Sequence, residues 1–474
     1  MPEWVVHHGD CRDVLARMEP ESVDSGVMDP PYGLGFMGAE WDKFGGRGMK
    51  AEIIAAQKAA EERNEPFGRS GKAAAPAPGE KQAFKEFMAE VASAVLRVLK
   101  PGAHVLVFGG TRTYHWMVDA FEDSGFEVRD QVLWLYGQGF PKSVNISKAI
   151  DKSAGVQPIA REPADLGMAN DPNWNDLKTK LIMPPPTTPE AIKWRGWGTA
   201  LKPAYEPLML ARKPIDQPIH RNVVEYGTGG INIDGCAIGG DGKPLPPERY
   251  AKVNPSGRWA SNIILDPEAA ALLDAQTGES KDGVAVKRNG RGGRFCHSDE
   301  AKLSAPSPDQ GYGGSGGSSR FYYCAKPSKA EKEAGLKAFA AASAAELTGR
   351  KEGSAGLVME HPDGGAKANP YAGTSGAVPR KNTHACVKPI ALLRYLSRLV
   401  TPPGGTIIDP FAGSGSGGIA AGLEGFNYIG IELDPEGKGY VDIARARIRH
   451  HVGESTATTR PRRRVETDPM FRGF

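Results

Sequence analysis

Two short stretches, far apart in the chain, carry residue types that could do chemistry. Asp29-Pro30-Pro31-Tyr32 sets a carboxylate beside the Pro30 carbonyl, and two prolines hold that carbonyl rigid because each ring fixes φ and removes an N–H. An exocyclic amine on adenine or cytosine is a poor nucleophile, since its lone pair is delocalised into the ring. A carboxylate and a carbonyl that accept its two hydrogens favour a tetrahedral nitrogen able to attack a methyl group. Tyr32 offers a ring on which a base rotated out of a duplex can stack. Asp-Pro-Pro is also ordinary chemistry for a turn that ends a strand, so the tetrapeptide alone does not decide between the two readings.

The second stretch is Asp409-Pro410-Phe411-Ala412-Gly413-Ser414-Gly415, a strand-to-helix turn in which Gly413 and Gly415 let the backbone approach a nucleoside. Glu432 ends the next apolar run, where an acceptor for ribose hydroxyls belongs. No Gly-Lys-Ser/Thr is present, and Asp409 would repel a pyrophosphate. The cofactor should therefore be neutral or cationic near that carboxylate, a condition that S-adenosylmethionine meets. None of the five cysteines follows a proline, which disfavours a covalent cytosine-C5 mechanism and favours direct transfer to an amino nitrogen. Paired, the two stretches read as a methyltransferase acting on a DNA base.

These residues need strands to carry them, and the periodicity supplies strands. Residues 23–28 form a short apolar strand running into Asp29. Phe84, Phe87, Met88, Val91, Val95, Val98 and Leu99 recur at helical spacing over 80–100, and Pro101-Gly102 is expected to end that helix. Strands are expected at 104–108, 131–136, 262–265, 406–408 and 425–433. Residues 389–400 predict a helix with Leu392, Leu396, Leu399 and Val400 on one face, and 440–450 a basic helix. Strands alternating with helices indicate an α/β, doubly wound sheet.

The 474 residues can bury a large core, and a net charge of +3 neither requires nor excludes a nucleic-acid partner. Scattered cysteines without a CxxC pair suit a reduced compartment. Cys296, His297, His384 and Cys386 lack paired-ligand spacing, so no metal is expected. No apolar run reaches the roughly 20 residues of a membrane span, and the reading is a cytoplasmic protein with no membrane partner. Residues 43–80 read either as a mobile loop over the site, with a short helix at 50–62, or equally as an inert surface insertion. Between 214 and 383 glycines and prolines cluster; Lys287, Arg288, Arg291, Arg294 and Arg320 lie close to Tyr312, Phe321, Tyr322 and Tyr323, a mixture suited to phosphates and bases. The tail 453–474 is polar and basic and reads as disordered.

With these motifs in hand, the chain resembles the beta class of amino DNA methyltransferases (the N6-adenine/N4-cytosine group), and phage or prophage stand-alone enzymes in particular. In that group the catalytic motif precedes the cofactor motif. His8-Gly9-Asp10 resembles motif III, which implies Asp10 near the cofactor's adenine. Asp29 to Tyr32 matches motif IV. Asp409 to Gly415 matches motif I, implying that Asp409, Phe411, Ala412, Gly413 and Gly415 line the cofactor. Ile431 to Asp434 matches motif II, with Glu432 as ribose acceptor. Thr383 to Pro389 resembles motif X, apart from Ala385 where the group usually has proline, and it contributes Lys388 to the cofactor side. Trp134 to Ser143 and Trp197 to Pro214 resemble the motif VIII region and its returning strand.

The resemblance implies a circularly permuted, Rossmann-like methyltransferase sheet with an inserted irregular target-recognition domain. Residues 1–213 would form the catalytic half, 214–383 the recognition region and 384–452 the cofactor-binding half. It further implies S-adenosylmethionine as cofactor, double-stranded DNA as partner, and room for a homodimer. The activity implied is N6-adenine methylation in a bacterial or phage-infected cell, as host modification, phage self-protection or regulation; N4-cytosine methylation is the alternative.

Overall fold

The computed structural model describes residues 2–33, 78–137, 139, 143–157, 159–161, 180–182, 184–238, 258–281, 315–325, 329–343, 380–384, 386–434 and 437–454. Its strands, in chain order, are β1 (Trp4–His8), β2 (Val23–Met28), β3 (Leu99–Phe108), β4 (Glu127–Leu135), β5 (Ile159–Arg161), β6 (Lys180–Ile182), β7 (Tyr205–Arg212), β8 (Ile263–Leu265), β9 (Ser280–Lys281), β10 (Ser315–Gly316), β11 (Tyr323–Cys324), β12 (Thr406–Asp409) and β13 (Asn427–Glu432). Nine of them form one sheet in the order β1-β13-β12-β2-β3-β7-β4-β8-β11. All neighbours pair in parallel except β7, which runs antiparallel to β3 and to β4. Pairs β5–β6 and β9–β10 stand apart from it.

The sheet is therefore closed by both ends of the sequence, the circular permutation that the motif order implies. Strand β2 shows why it sits centrally: all six of its residues are buried, as a parallel strand covered on both faces requires. One covering layer is the helix Pro78–Val98 with Cys11–Ala16 and Tyr114–Asp123, whose Phe84, Met88, Val91, Val95 and Phe121 fill the core beneath them. The opposite layer is Ile390–Val400, Ser416–Leu423 and Tyr440–Val452, packing Leu392, Leu396, Ile419 and Ile448. Truncating a fully buried member such as Met88 to alanine should cost about 2–5 kcal/mol. Buried polar contacts tie the strand starts together. Thr406 N–H donates to Asp24 at 2.8 Å, Lys100 Nζ lies 2.5 Å from the same carboxylate, and the Ser25 and Thr401 hydroxyls are 2.8 Å apart.

Three boundaries differ from expectation. The helix over 80–100 ends at Val98, and Pro101-Gly102 lies inside β3, where its pairing with β2 shifts register between Val23 and Ser25. Proline is tolerated at such an irregularity, so it marks a bulge and not a helix stop. Strand β4 begins at Glu127, before the apolar run, because antiparallel pairing with β7 extends through polar residues. Within 214–383, strands β8 and β11 continue the main sheet, and Cys236, Ile238, Ile264, Tyr323 and Ala325 join its core. Tyr323 stacks on Tyr395 of the layer above at 4.1 Å.

Candidate active site

Adjacent parallel strands β2 and β12 pair Gly26 with Ile408, and each runs into an Asp-Pro dipeptide. Sequence positions 29 and 409 thereby meet at the carboxyl end of the sheet, where open α/β sheets bind ligands. On the far side of β12, β13 delivers Glu432, and β1 pairs His8 opposite it, so that Gly9 N–H donates to the Glu432 carbonyl at 3.0 Å. A cavity of about 650 Å³ opens over these strand ends. Asp10, Asp29, Pro30, Pro31, Tyr32, Lys388, Asp409, Phe411, Ala412, Gly413 and Glu432 all line it. Gly415 does not. It sits at φ 80° ahead of the helix Ser416–Leu423, and a Cβ there would come 2.8 Å from the Ala444 carbonyl, so its part is to let two segments pack closely.

The glycine turn is fixed from three sides. Asp409 accepts the Phe411 N–H at 3.1 Å and the Tyr428 hydroxyl at 2.9 Å, which occupies both of its oxygens. Burial raises the Asp409 pKa to about 7, with Asp29 and Glu432 adding to the rise and those two hydrogen bonds opposing it. Glu432 Oε2 accepts the Gly413 N–H at 2.7 Å, and burial raises this carboxyl too. Gly413 has φ 51°, and a Cβ on it would meet the His384 ring at 2.9 Å. From behind, the buried Arg447 guanidinium donates to the Ser414 carbonyl and hydroxyl, to the Ser416 hydroxyl and to the Glu331 carbonyl. Asp10 faces the cavity but is also engaged: it caps the helix Cys11–Ala16 through Arg12 N–H and pairs with the Arg12 side chain, which holds its carboxyl below the usual range.

Around Asp29 the groups are side chains. Lys388 Nζ donates to Asp29 Oδ2 at 2.7 Å and lies 3.2 Å from Glu206 Oε2. The Tyr32 hydroxyl is 2.9 Å from Asp29 Oδ1 and 3.0 Å from Glu206 Oε2, so its single proton serves one or the other. It can also accept from Lys388, at 3.2 Å. Burial opposes the Lys388 charge, but Asp29 and Glu206 outweigh it and raise its pKa. The structure thus places Lys388 against the tetrapeptide carboxylate. Glu206, on the returning strand β7, was not singled out from the sequence. It sits in Tyr-Glu-Pro with no local signal of its own, and its contacts with Lys388 and Tyr32 reveal it. Trp134 and Tyr136, 5.7 Å apart at the end of β4, form an aromatic wall, and Trp134 Nε1 is buried without a partner among the described residues.

Asp10, Asp29 and Glu206 outnumber the two strong cations of the cavity, Arg12 and Lys388, even with Asp409 and Glu432 drawn towards protonation by burial. That excess repels phosphates and fits S-adenosylmethionine, with its sulfonium and ammonium groups. Glu432 and the 411–413 backbone would hold the nucleoside, with Phe411 packed on Phe87 at 6.2 Å beside it. Among the described residues no group of three metal-ligating side chains lies together, and no helix is long and apolar enough to cross a membrane. Cys296 and His297, the loop 43–77 with its expected helix at 50–62, Lys287, Arg288, Arg291, Arg294, Tyr312 and the tail beyond 454 lie outside the described residues.

Comparison with known proteins agrees with this geometry. Two curated relatives are type II methyltransferases: M.HindIII of Haemophilus influenzae, 23% identical over 237 residues (48% of this chain, 64% of that protein), and M.Cfr9I of Citrobacter freundii, 40% identical over 82 residues (17% and 25%). The matches thus span less than two thirds of either relative. Among solved structures, the PvuII cytosine-N4-specific DNA methyltransferase is 13% identical with a TM-score of 0.35, covering 94% of this chain and 86% of that one. A score that low adds nothing to the topology above. The DNA methylase family model of N6/N4 type matches residues 23–221 and 349–445, more than half of the chain and both walls of the cavity. The chain belongs to the N6/N4 DNA methylase family.

Proposed function

We propose that the protein transfers a methyl group from S-adenosylmethionine to the exocyclic N6 of adenine in double-stranded DNA, by direct attack from a base rotated out of the helix. The carrying observation is that Asp29 and the glycine turn share one cavity, with Asp29 held by exchangeable side chains. When bound, the cofactor supplies an electrophilic methyl group on a sulfonium. Asp29 and the Pro30 carbonyl accept the amine hydrogens, steering the nitrogen lone pair out of the ring plane. Each carboxylate oxygen has two lone pairs, so Asp29 can accept the amine while Lys388 and Tyr32 still hold it. The Tyr32 and Trp134 rings flank the base.

Aspartate at the first position of the tetrapeptide favours adenine, because many N4-cytosine enzymes carry serine there. N4-cytosine transfer with the same machinery is the second reading. The region 214–383 would read the sequence context. The test is methylation of unmodified plasmid with labelled S-adenosylmethionine, followed by nucleoside mass spectrometry. N6-methyladenine is the expected product; N4-methylcytosine would overturn the target base and leave the mechanism, and no methylated nucleoside would overturn both.

A further inference from the structure

We propose that residues 192–202, a knob of tryptophans and basic side chains beside the cavity, grip the DNA duplex where the target base leaves the stack. The inference rests on the DNA reading above. Trp197 is 60% exposed and Leu201 92%, and Ile192, Trp194 and Tyr205 are exposed with them. So much apolar surface in one short stretch marks an interaction site.

The knob is rigidly mounted. Asp151, from the helix Ile146–Ser153, accepts both the Thr187 and Thr188 N–H groups and the Thr188 hydroxyl, fixing the start of the helix Pro189–Lys193. Ile146 N–H donates to the Trp197 carbonyl at 3.1 Å, and Ser143 Oγ accepts the Thr199 N–H at 2.9 Å. Trp194 and Trp197 meet edge to face at 5.0 Å. These contacts hold the rings outward without burying them.

Charge selects the occupant. Among the described residues of 143–157 and 184–205, the exposed charged side chains are Lys148, Lys152, Lys193, Arg195 and Lys202 against Glu190. A purely apolar partner would leave those cations unanswered, whereas a phosphate backbone answers them. Position selects the role. Pro203 and Tyr205 line the exposed side of the cavity, and Lys202 Nζ donates to the Gly137 carbonyl beside Tyr136, another lining residue. A base turned into the cavity leaves a gap in the stack next to this knob, and aromatic or aliphatic side chains at such gaps hold the duplex open. Trp197 and Leu201 are placed to fill it, with Lys193 and Arg195 on flanking phosphates.

The test compares Lys193→Glu/Arg195→Glu with Trp197→Ala/Leu201→Ala. None of these four side chains is in the core, and cofactor binding measured by calorimetry serves as the folding control. On a mixed-sequence duplex, the charge variant should bind at least about tenfold more weakly, with the slope of log K against log salt reduced by about 2, near 0.9 per phosphate lost. The apolar variant should keep that slope and its cofactor affinity but methylate plasmid at least about tenfold more slowly. If both variants bind and methylate like wild type, the surface is misassigned. A change in sedimentation alone would make the knob a contact between copies of this chain and overturn the proposal. Wild type that binds cofactor but no duplex would overturn the DNA reading and this surface together; wild type that binds duplex, with variants at parity, would overturn the surface only.

Discussion

Two Asp-Pro dipeptides end neighbouring parallel strands, and the fold uses them differently. Asp409 is 5% exposed and has both oxygens bonded to groups that cannot leave, a backbone N–H and a buried tyrosine. The Asp29 side chain is 22% exposed and, among the described residues, is met by side chains on the cavity wall, Lys388 and Tyr32. The first carboxylate shapes a turn; the second is available to a ligand. The same residue type at the same strand position is locked in place or left open to a ligand according to whether its partners can be exchanged.

That contrast can be broken by mutation. Asp29→Ala should reduce methyl transfer by about 10²–10⁴-fold while thermal stability and cofactor affinity persist; a fall in melting temperature without a kinetic loss would erase the distinction. Asp409→Ala should do the reverse. It strands the Tyr428 hydroxyl and the Phe411 N–H, at about 1–3 kcal/mol for each buried group, and urea denaturation should show the loss. Glu206→Gln should slow transfer by about ten- to a hundredfold, the worth of one charge-assisted contact, because Lys388 then neutralises Asp29 unopposed. Glu206→Asp should recover part of the rate, and unchanged single-turnover rates would remove Glu206 from the site. Glu432→Gln should weaken cofactor binding about tenfold by calorimetry, the worth of one such contact to a ribose hydroxyl.

A further effect, on stability and not on rate, is a pH dependence. Folding raises the Asp409 pKa from 3.8 to about 7, so the folded state holds the proton more tightly than the unfolded chain. This residue's contribution is complete below 3.8 and is lost as pH rises towards 7. Relative to Asp409→Asn, the wild type should therefore lose on the order of 1 kcal/mol per pH unit between about pH 5 and 7, then level off. Denaturation midpoints at pH 5, 6, 7 and 8 would check it.

The two ends of the chain were legible in the sequence because strand, turn and acid recur there in a fixed local order. Asp29 and Glu432 needed no tertiary information. Glu206 did, since nothing local distinguishes it from any glutamate before a proline. Arg447 was hidden differently. A helix with several arginines reads as a solvated basic face, yet this one is fully buried behind the glycine turn. Strand β8 falls within the expected run 262–265, whereas β11 is two residues long, too short for periodicity to register, although both extend the sheet. Trp197 opens a motif region, but nothing in the sequence marks it or Trp194 as exposed, because exposure cannot be seen in composition.

The placement of β1 and β2 also orders events in time. During synthesis β1 emerges first, but its pairing partner is β13, and β2 waits for β12 on one side. Nearly four hundred further residues must be made before either contact can form, on the order of tens of seconds at typical elongation rates of roughly 5–20 residues per second. Until then Asp29 has neither Lys388 to hold it nor a glycine turn beside it. A nascent or prematurely ended chain would carry Asp29 without the strands that complete its cavity, so the site exists only once β12 and β13 have been made.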